Sequence, residues 1–157
     1  MTLRAYGQGG RGACRSDLMI PLAPLDRGQA ETIIANVRST DGAKTATAAS
    51  LRATTQDLAN AQGQRHVILI TDGGENCSGN VEAEIADLKK SGFDVQLDIV
   101  GFVIDAPQTG QTFARWAQLG GGKYFEASDA ATLDKAMRAA VKRQFEAIDA
   151  KGQVVAS

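Results

Sequence analysis

Between residues 68 and 76 the chain reads ILITDGGEN, an apolar, β-branched run that stops on the carboxylate of Asp72 and two glycines. A strand that ends this way is either turning or aiming an oxygen at a ligand. In open parallel α/β sheets, ligands sit beyond the carboxyl ends of the strands. Gly73 and Gly74 let the backbone turn sharply and leave the Asp72 carboxylate unshielded. Thr45, which follows Gly42 at the start of an expected helix, offers a hydroxyl. Hard oxygen donors of these two kinds suit Mg²⁺ or Mn²⁺ rather than zinc. The same residues equally suit plain structural roles, Asp72 in an Asx turn and Thr45 as a helix N-cap, and spacing alone leaves both open.

Other chemistry finds less support. Gly7 to Gly12 (GQGGRG) matches G-x-G-x-x-G, but a dinucleotide site needs that loop to open a helix so that amides and dipole face the pyrophosphate. Here the loop runs through Cys14 into an apparent strand. A helix from Gly12 would favour an enzymatic or nucleotide-binding reading; a strand at 18–22 argues against it. No GKS or GKT follows, and no G-x-S-x-G elbow occurs. His66, the single histidine, opens the HVILIT run about 20 Å from Asp72 at strand rise and reads as structural. Glu82 and Glu84 face different sides of a helix and form no acid/base pair. Asp98 interrupts an apolar strand; it needs a hydrogen-bonding partner or a place at a strand end or helix margin, and no functional role is assigned to it.

The elements that must position these residues alternate in type. LRAY (3–6) and Leu18 to Leu22 read as strands, with Pro21 confining the second to an edge. A helix from Leu25 carries Ile33, Ile34 and Val37 on one face, and another runs from Thr45 through Leu51 and Leu58. HVILIT is a strand buried on both faces. Val81 to Lys90 is an amphipathic helix stopped by Ser91-Gly92. VQLDIVGFV, then the helix TFARWAQLGGG, then the strand KYFEA follow, and Asp129 caps a last helix with Leu133, Met137, Val141, Phe145 and Ile148. The order β-β-α-α-β-α-β-α-β-α predicts an α/β, doubly wound, mostly parallel sheet with one antiparallel edge strand. The 157 residues fit one domain over 1–150, with 151–157 as a tail or the start of a further segment. A net charge of −1 gives no nucleic-acid surface. The apolar stretches are too short to span a bilayer, and the start lacks a signal-peptide core. Two cysteines are too few for a zinc cluster, and composition leaves them paired or free.

AYG at 5–7, Cys14, PLDR at 24–27, GAKT at 42–45, TDGGENC at 71–77, VGF at 100–102 and GGKYFEA at 121–127 together resemble a von Willebrand factor type A domain. The closer likeness is to bacterial members similar to calcium-activated chloride channel regulators, and it covers most of residues 2–148. The resemblance implies a Rossmann-like fold and a metal-ion-dependent adhesion site, in which a partner protein completes the shell of a Mg²⁺ (or Mn²⁺ or Ca²⁺) ion with a carboxylate. The family's threonine falls on Thr45 and its strand-end aspartate on Asp72; Gly73, Glu75 and Asn76 would shape the partner-binding rim. The family's D-x-S-x-S, which ends its first, central strand, is absent, and Ala46 stands where proline is usual. The chain thus starts at the family's second strand, and either LRAY closing onto HVILIT or pairing between copies is expected to fill the gap.

The resemblance also implies a Cys14–Cys77 disulfide and hence an oxidising, extracytoplasmic compartment, periplasmic or secreted. The expectation is therefore a non-enzymatic, adhesion-type protein-interaction module with a degenerate metal site at Asp72, weak or empty of metal. It has no nucleic-acid partner and no membrane insertion. The alternatives are an enzymatic or nucleotide-binding α/β domain using the 7–12 loop, and a structural half-domain completed by another chain, including a homo-oligomer formed through sheet edges.

Overall fold

The computed structural model of the chain describes residues 1–91, 94–104 and 106–146, the last four of these by backbone alone. Ile148 and the 151–157 tail lie outside the described residues, as does the Phe145 side chain. The element order is the expected one: β1 (Leu3–Tyr6), β2 (Ser16–Ile20), α1 (Arg27–Asn36), α2 (Thr47–Asp57), β3 (Arg65–Thr71), α3 (Val81–Lys90), β4 (Val95–Phe102), α4 (Pro107–Leu119), β5 (Gly121–Ala127) and α5 (Ala130–Glu146). These form two compact units, residues 1–65 with 74–94, and residues 66–73 with 95 onward.

In the first unit β1 and β2 make an antiparallel pair. β2 starts two residues earlier than expected and stops before Pro21, which has no N–H to give a ladder. The pair is tied to α2 by the Arg4–Asp57 ion pair, whose Nη2–Oδ1 arm is 3.0 Å, and by a 2.9 Å bond from the Ser50 hydroxyl to that of Ser16. Arg52 of α2 in turn pairs with the largely buried Glu84 of α3. α3 matches its expected span, with Asn80 accepting from the Ala83 N–H at its start and Val81, Ile85 and Leu88 buried. α1 departs from expectation. Asp26 caps it and Val37 falls beyond its end, while Ile34 is 55 % exposed; only Ala30 is buried. Two adjacent isoleucines point about 100° apart on a helix, so they cannot share one narrow buried face.

The second unit is a parallel three-stranded sheet in the order β3-β4-β5. LRAY is in the other, two-stranded sheet, so it does not close into a ladder with HVILIT. Helices cover both faces. Against α5 lie Val100 and Ala127, with Phe102, Phe125, Leu133 and Met137 around Ala136. On the opposite face Phe113 of α4 meets Tyr124 edge-on, ring centroids 6.1 Å apart, and packs on Trp116. Tyr124 and Phe125 are consecutive on β5 and so point to opposite faces. Val141, expected on the buried stripe of α5, is exposed; the stripe runs instead through Ala136 and Ala140. β3 is only partly buried, and Ile70 is 43 % exposed.

α4 begins at Pro107, five residues before its expected start, because proline at the first turn loses nothing there. Gly121 (φ +74°) opens β5 rather than closing the helix, and a Cβ on Gly122 would sit 1.9 Å from the Leu97 carbonyl oxygen. That approach accompanies a register shift between Leu97 and Ile99. β4 ends at Phe102 because Val103, expected within the strand, is left-handed (φ +52°), a costly conformation for a β-branched residue.

Candidate functional site

Of the residues singled out from sequence, the first unit brings Cys14, Thr45, Glu75, Asn76 and Cys77 together. Three segments meet there. The glycine loop 7–15 lies along segment 40–48 through backbone bonds from Thr40 N to Gly7 O (2.9 Å), Gly12 N to Gly42 O (2.7 Å) and Lys44 N to Ala13 O (3.1 Å). The 74–80 loop grips the same segment from its other end. Asn76 accepts from the Thr45 N–H through Oδ1 (2.7 Å), and its own N–H donates to the Thr45 carbonyl (3.3 Å). The Cys14–Cys77 disulfide joins the two outer loops, with the Cα atoms 5.6 Å apart. It bears out the pairing implied by the family resemblance and fits an extracytoplasmic location.

Glu75 has a role that sequence reading missed. α2 starts on Ala46, which has no side chain able to cap it, and Thr45 lies outside the helix; the expected Thr45 N-cap is not formed. Glu75 Oε2 accepts instead from the Ala48 N–H (2.7 Å), in the first turn of α2, while Oε1 accepts from the Cys77 N–H (2.5 Å). A carboxylate at a helix N-terminus satisfies an orphan donor and meets the positive end of the dipole. The nearby backbone supports it. Ser78 is left-handed (φ +62°), and a Cβ on Gly79 would come within 2.3 Å of the Ala48 Cβ, so the loop lies flat on the start of α2. The readable signal was Ala46 itself: a helix with alanine at its N-cap asks for a cap from elsewhere. Thr47, next in line, is fully buried, and its hydroxyl has no partner among the described residues.

Asp72 and Gly73 belong to the second unit, closing β3. The turn bond expected of Asp72 is made by Thr71, whose hydroxyl donates to the Gly73 carbonyl at 2.7 Å. Asp72 is exposed, and no hydrogen bond or ion pair among the described residues involves it.

At the opposite end of β3 a second polar cluster is fully internal. Asp98 is 0 % exposed; it accepts from the Lys123 N–H (2.6 Å) and is hydrogen-bonded to His66 Nε2 (2.9 Å), with Gln96 Nε2 at 3.3 Å. Asp98 is thus in the core rather than at a helix margin, and His66 is structural. The glycine loop leads into β2, with no helix from Gly12, so its amides are not arrayed at a helix start as a pyrophosphate needs. Among the described residues no three His, Cys, Asp or Glu side chains cluster as metal ligands, and no helix is long and apolar enough to cross a membrane.

No protein-family model matches the chain. It is 38 % identical over 77 residues to the Bacillus subtilis (strain 168) protein YwmD and 34 % identical over 79 residues to YwmC of the same organism. Each match takes in about half of this chain, 49 % and 50 %, but only 34 % of the relative. Among solved structures, the fold is shared with BatB from Bacteroides thetaiotaomicron (TM-score 0.65, 16 % identity, 85 % of this chain and 76 % of that one). An aerotolerance-related membrane protein from Bacteroides fragilis NCTC 9343 is similar (TM-score 0.62, 16 % identity, 82 % and 74 %).

Proposed function

We propose that the chain is a non-enzymatic protein-interaction module of von Willebrand A type, with Asp72 as its functional carboxylate. The observation that carries this reading is the division of labour in TDGGENC. Thr71 makes the turn, Glu75 caps α2, Asn76 clamps Thr45 and Cys77 is in a disulfide, which leaves Asp72 as the exposed side chain of this run with no partner among the described residues. The shared fold with BatB supports the family assignment drawn from the motifs. Glu75 and Asn76, expected at the partner-binding rim, serve the loop's own structure first.

The family resemblance would assign a metal to the Asp72 carboxylate and the Thr45 hydroxyl. Both are hard oxygens, the donor type Mg²⁺ prefers, but two side chains leave most of an octahedral shell to water and to a partner's carboxylate. The metal is therefore weakly held in this reading, and the partner matters more than the ion. The Cys14–Cys77 disulfide supports action in a periplasmic or secreted setting.

Thermal melts of wild type and Asp72→Ala, each in EDTA and in millimolar Mg²⁺ or Mn²⁺, test the proposal. Ion at about a hundred times its dissociation constant stabilises by about 2.7 kcal/mol, which raises Tm by several degrees at this size. A rise in wild type and none in the variant is expected. Equal melts under all four conditions, joined to unchanged capture of candidate partners by Asp72→Ala, would sink it.

A further inference from the structure

We propose that the Cys14–Cys77 disulfide is a redox-operated latch: reduction by a dithiol releases the 74–80 loop from the glycine loop and loosens the capped start of α2, while the rest of the protein stays folded. This goes beyond the interaction reading and does not depend on metal or partner binding at Asp72.

The bonding pattern carries the inference. Among the described residues the disulfide is the sole direct bond between segment 7–15 and segment 74–80; the other long-range bonds of each go to segment 40–48, while Arg15 pairs with Asp17 and Asn80 caps α3 close by in sequence. Cutting it turns a closed ring of three segments into an open chain of contacts. What then holds the 74–77 part of the loop to segment 40–48 is Asn76 on Thr45 and Glu75 on Ala48, while Asn80 stays anchored at the start of α3. The Glu75 carboxylate also accepts from the Cys77 N–H, so reduction puts a titratable thiol on the residue that this carboxylate grips. A Cys77 thiolate repels that carboxylate; the disulfide sulfur, which carries no charge, does not.

The body of the unit is held by other means. Arg4 with Asp57 and Ser16 with Ser50 tie the strand pair to α2, Arg52 with Glu84 ties α2 to α3, and none of these involves either cysteine loop. The bridge is also within reach of a reductant, because Cys14 is exposed in its glycine-rich loop and Cys77 is half-buried. A dithiol's thiolate attacks Cys14 Sγ, forming a mixed disulfide there and expelling Cys77 as thiolate. The reductant's second thiol then displaces Cys14 and closes the reductant's own disulfide. Two electrons enter the protein, which ends with two thiols, and the dithiol is oxidised.

Native-state hydrogen exchange on the full chain tests the latch, in the oxidised form, in excess dithiothreitol without denaturant, and after re-oxidation, with Cys14→Ser/Cys77→Ser measured in parallel. Two protein thiols should appear in native buffer. The amides of Thr45, Ala48 and Cys77 should exchange at least tenfold faster, those of Ile99 and Val100 should keep their rates, and re-oxidation should restore protection. The double variant should show the reduced pattern without reductant. Three results would overturn the proposal: no thiols without denaturant, unchanged exchange at the three amides, or collapse of protection throughout the chain. The last would make the bridge a staple of the whole fold.

Discussion

Replacing Asp98 by alanine removes one carboxylate that three strands share. His66 is on β3, Asp98 on β4 and Lys123 on β5, and Asp98 is inaccessible to water. Asp98 Oδ1 accepts the Lys123 backbone N–H at 2.6 Å and Oδ2 is 2.9 Å from His66 Nε2; a carboxylate only accepts, so with Asp98 as carboxylate His66 is the donor of that bond. The Lys123 N–H lies beside the register shift at Leu97–Ile99, where Gly122 crowds the Leu97 carbonyl, so the regular ladder is interrupted and the side chain takes the acceptor's place. In Asp98→Ala the His66 ring and the Lys123 N–H lose their acceptor, the His66 ring in a nearly dry site. Each unsatisfied buried group costs about 1–3 kcal/mol, and breaking a buried charged network by removing one partner costs about 3–5 kcal/mol. We expect a loss of about 3–5 kcal/mol for Asp98→Ala.

Asp98→Asn separates charge from hydrogen bonding. The amide oxygen still accepts from Lys123, and the amide N–H can meet His66 in its other tautomer, so about 1–2 kcal/mol should be lost, the difference between charge-assisted and neutral bonds. Urea unfolding followed by the fluorescence of Trp116, the single tryptophan, which lies on α4 in the same unit and packs on Phe113, reads the order wild type, Asn, Ala directly. A loss below 1 kcal/mol for Asp98→Ala with an unchanged m-value would refute the reasoning, as would a gain: either would mean the network's desolvation cost equals or exceeds what its bonds return.

Two further outcomes follow from single groups. The Tyr124 hydroxyl is buried against Gly101 and Gly110 with no partner among the described residues, and burial raises its pKa; Tyr124→Phe should leave stability unchanged or raise it by up to about 1 kcal/mol, and a urea-measured loss above 1 kcal/mol would contradict this. Asp129 is held below the ordinary carboxylate range, chiefly by the Thr132 N–H and then by the Thr132 hydroxyl, so its contribution to the start of α5 is present above that range and lost as pH falls through the depressed folded value. The Thr132 amide shift should report a midpoint below the usual aspartate range in wild type and none in Asp129→Asn; a midpoint at or above that range would contradict the assignment.

The order of elements was legible because each long element carries its own period: HVILIT and VQLDIVGF are continuous apolar runs, and Val81, Ile85 and Leu88 mark one face of α3. The errors fall where a long-range contact overrides a local signal. Val103 reads as strand by composition, yet the chain turns there with positive φ, which no β-branched residue announces. Asp98 reads as a misfit because its partners include His66, 32 residues earlier, Lys123, 25 residues later, and Gln96 two residues before it. Thr45 is a good N-cap by type, but the helix starts after Ala46 and takes its cap from Glu75, 27 residues from Ala48. Of the site, the disulfide was reachable only through the family likeness; two cysteines in loops do not by themselves say that the loops meet.

The same long-range contacts decide which substitutions can speak about function. Glu75→Ala takes the cap from α2 and a bond from Cys77, so a loss of binding in that variant would report a displaced loop as readily as a lost contact. Asn76→Ala has the same defect through Thr45. Asp72 is different: it is exposed and makes no hydrogen bond or ion pair among the described residues, so Asp72→Ala should melt within about 0.5 kcal/mol of wild type in EDTA, as surface changes away from such features do. Only with that baseline does a missing Mg²⁺ response or a missing partner in Asp72→Ala mean that the carboxylate itself does the binding. If Asp72→Ala instead melts well below wild type in chelator, Asp72 supports the fold, and its claim to be the functional carboxylate falls with it.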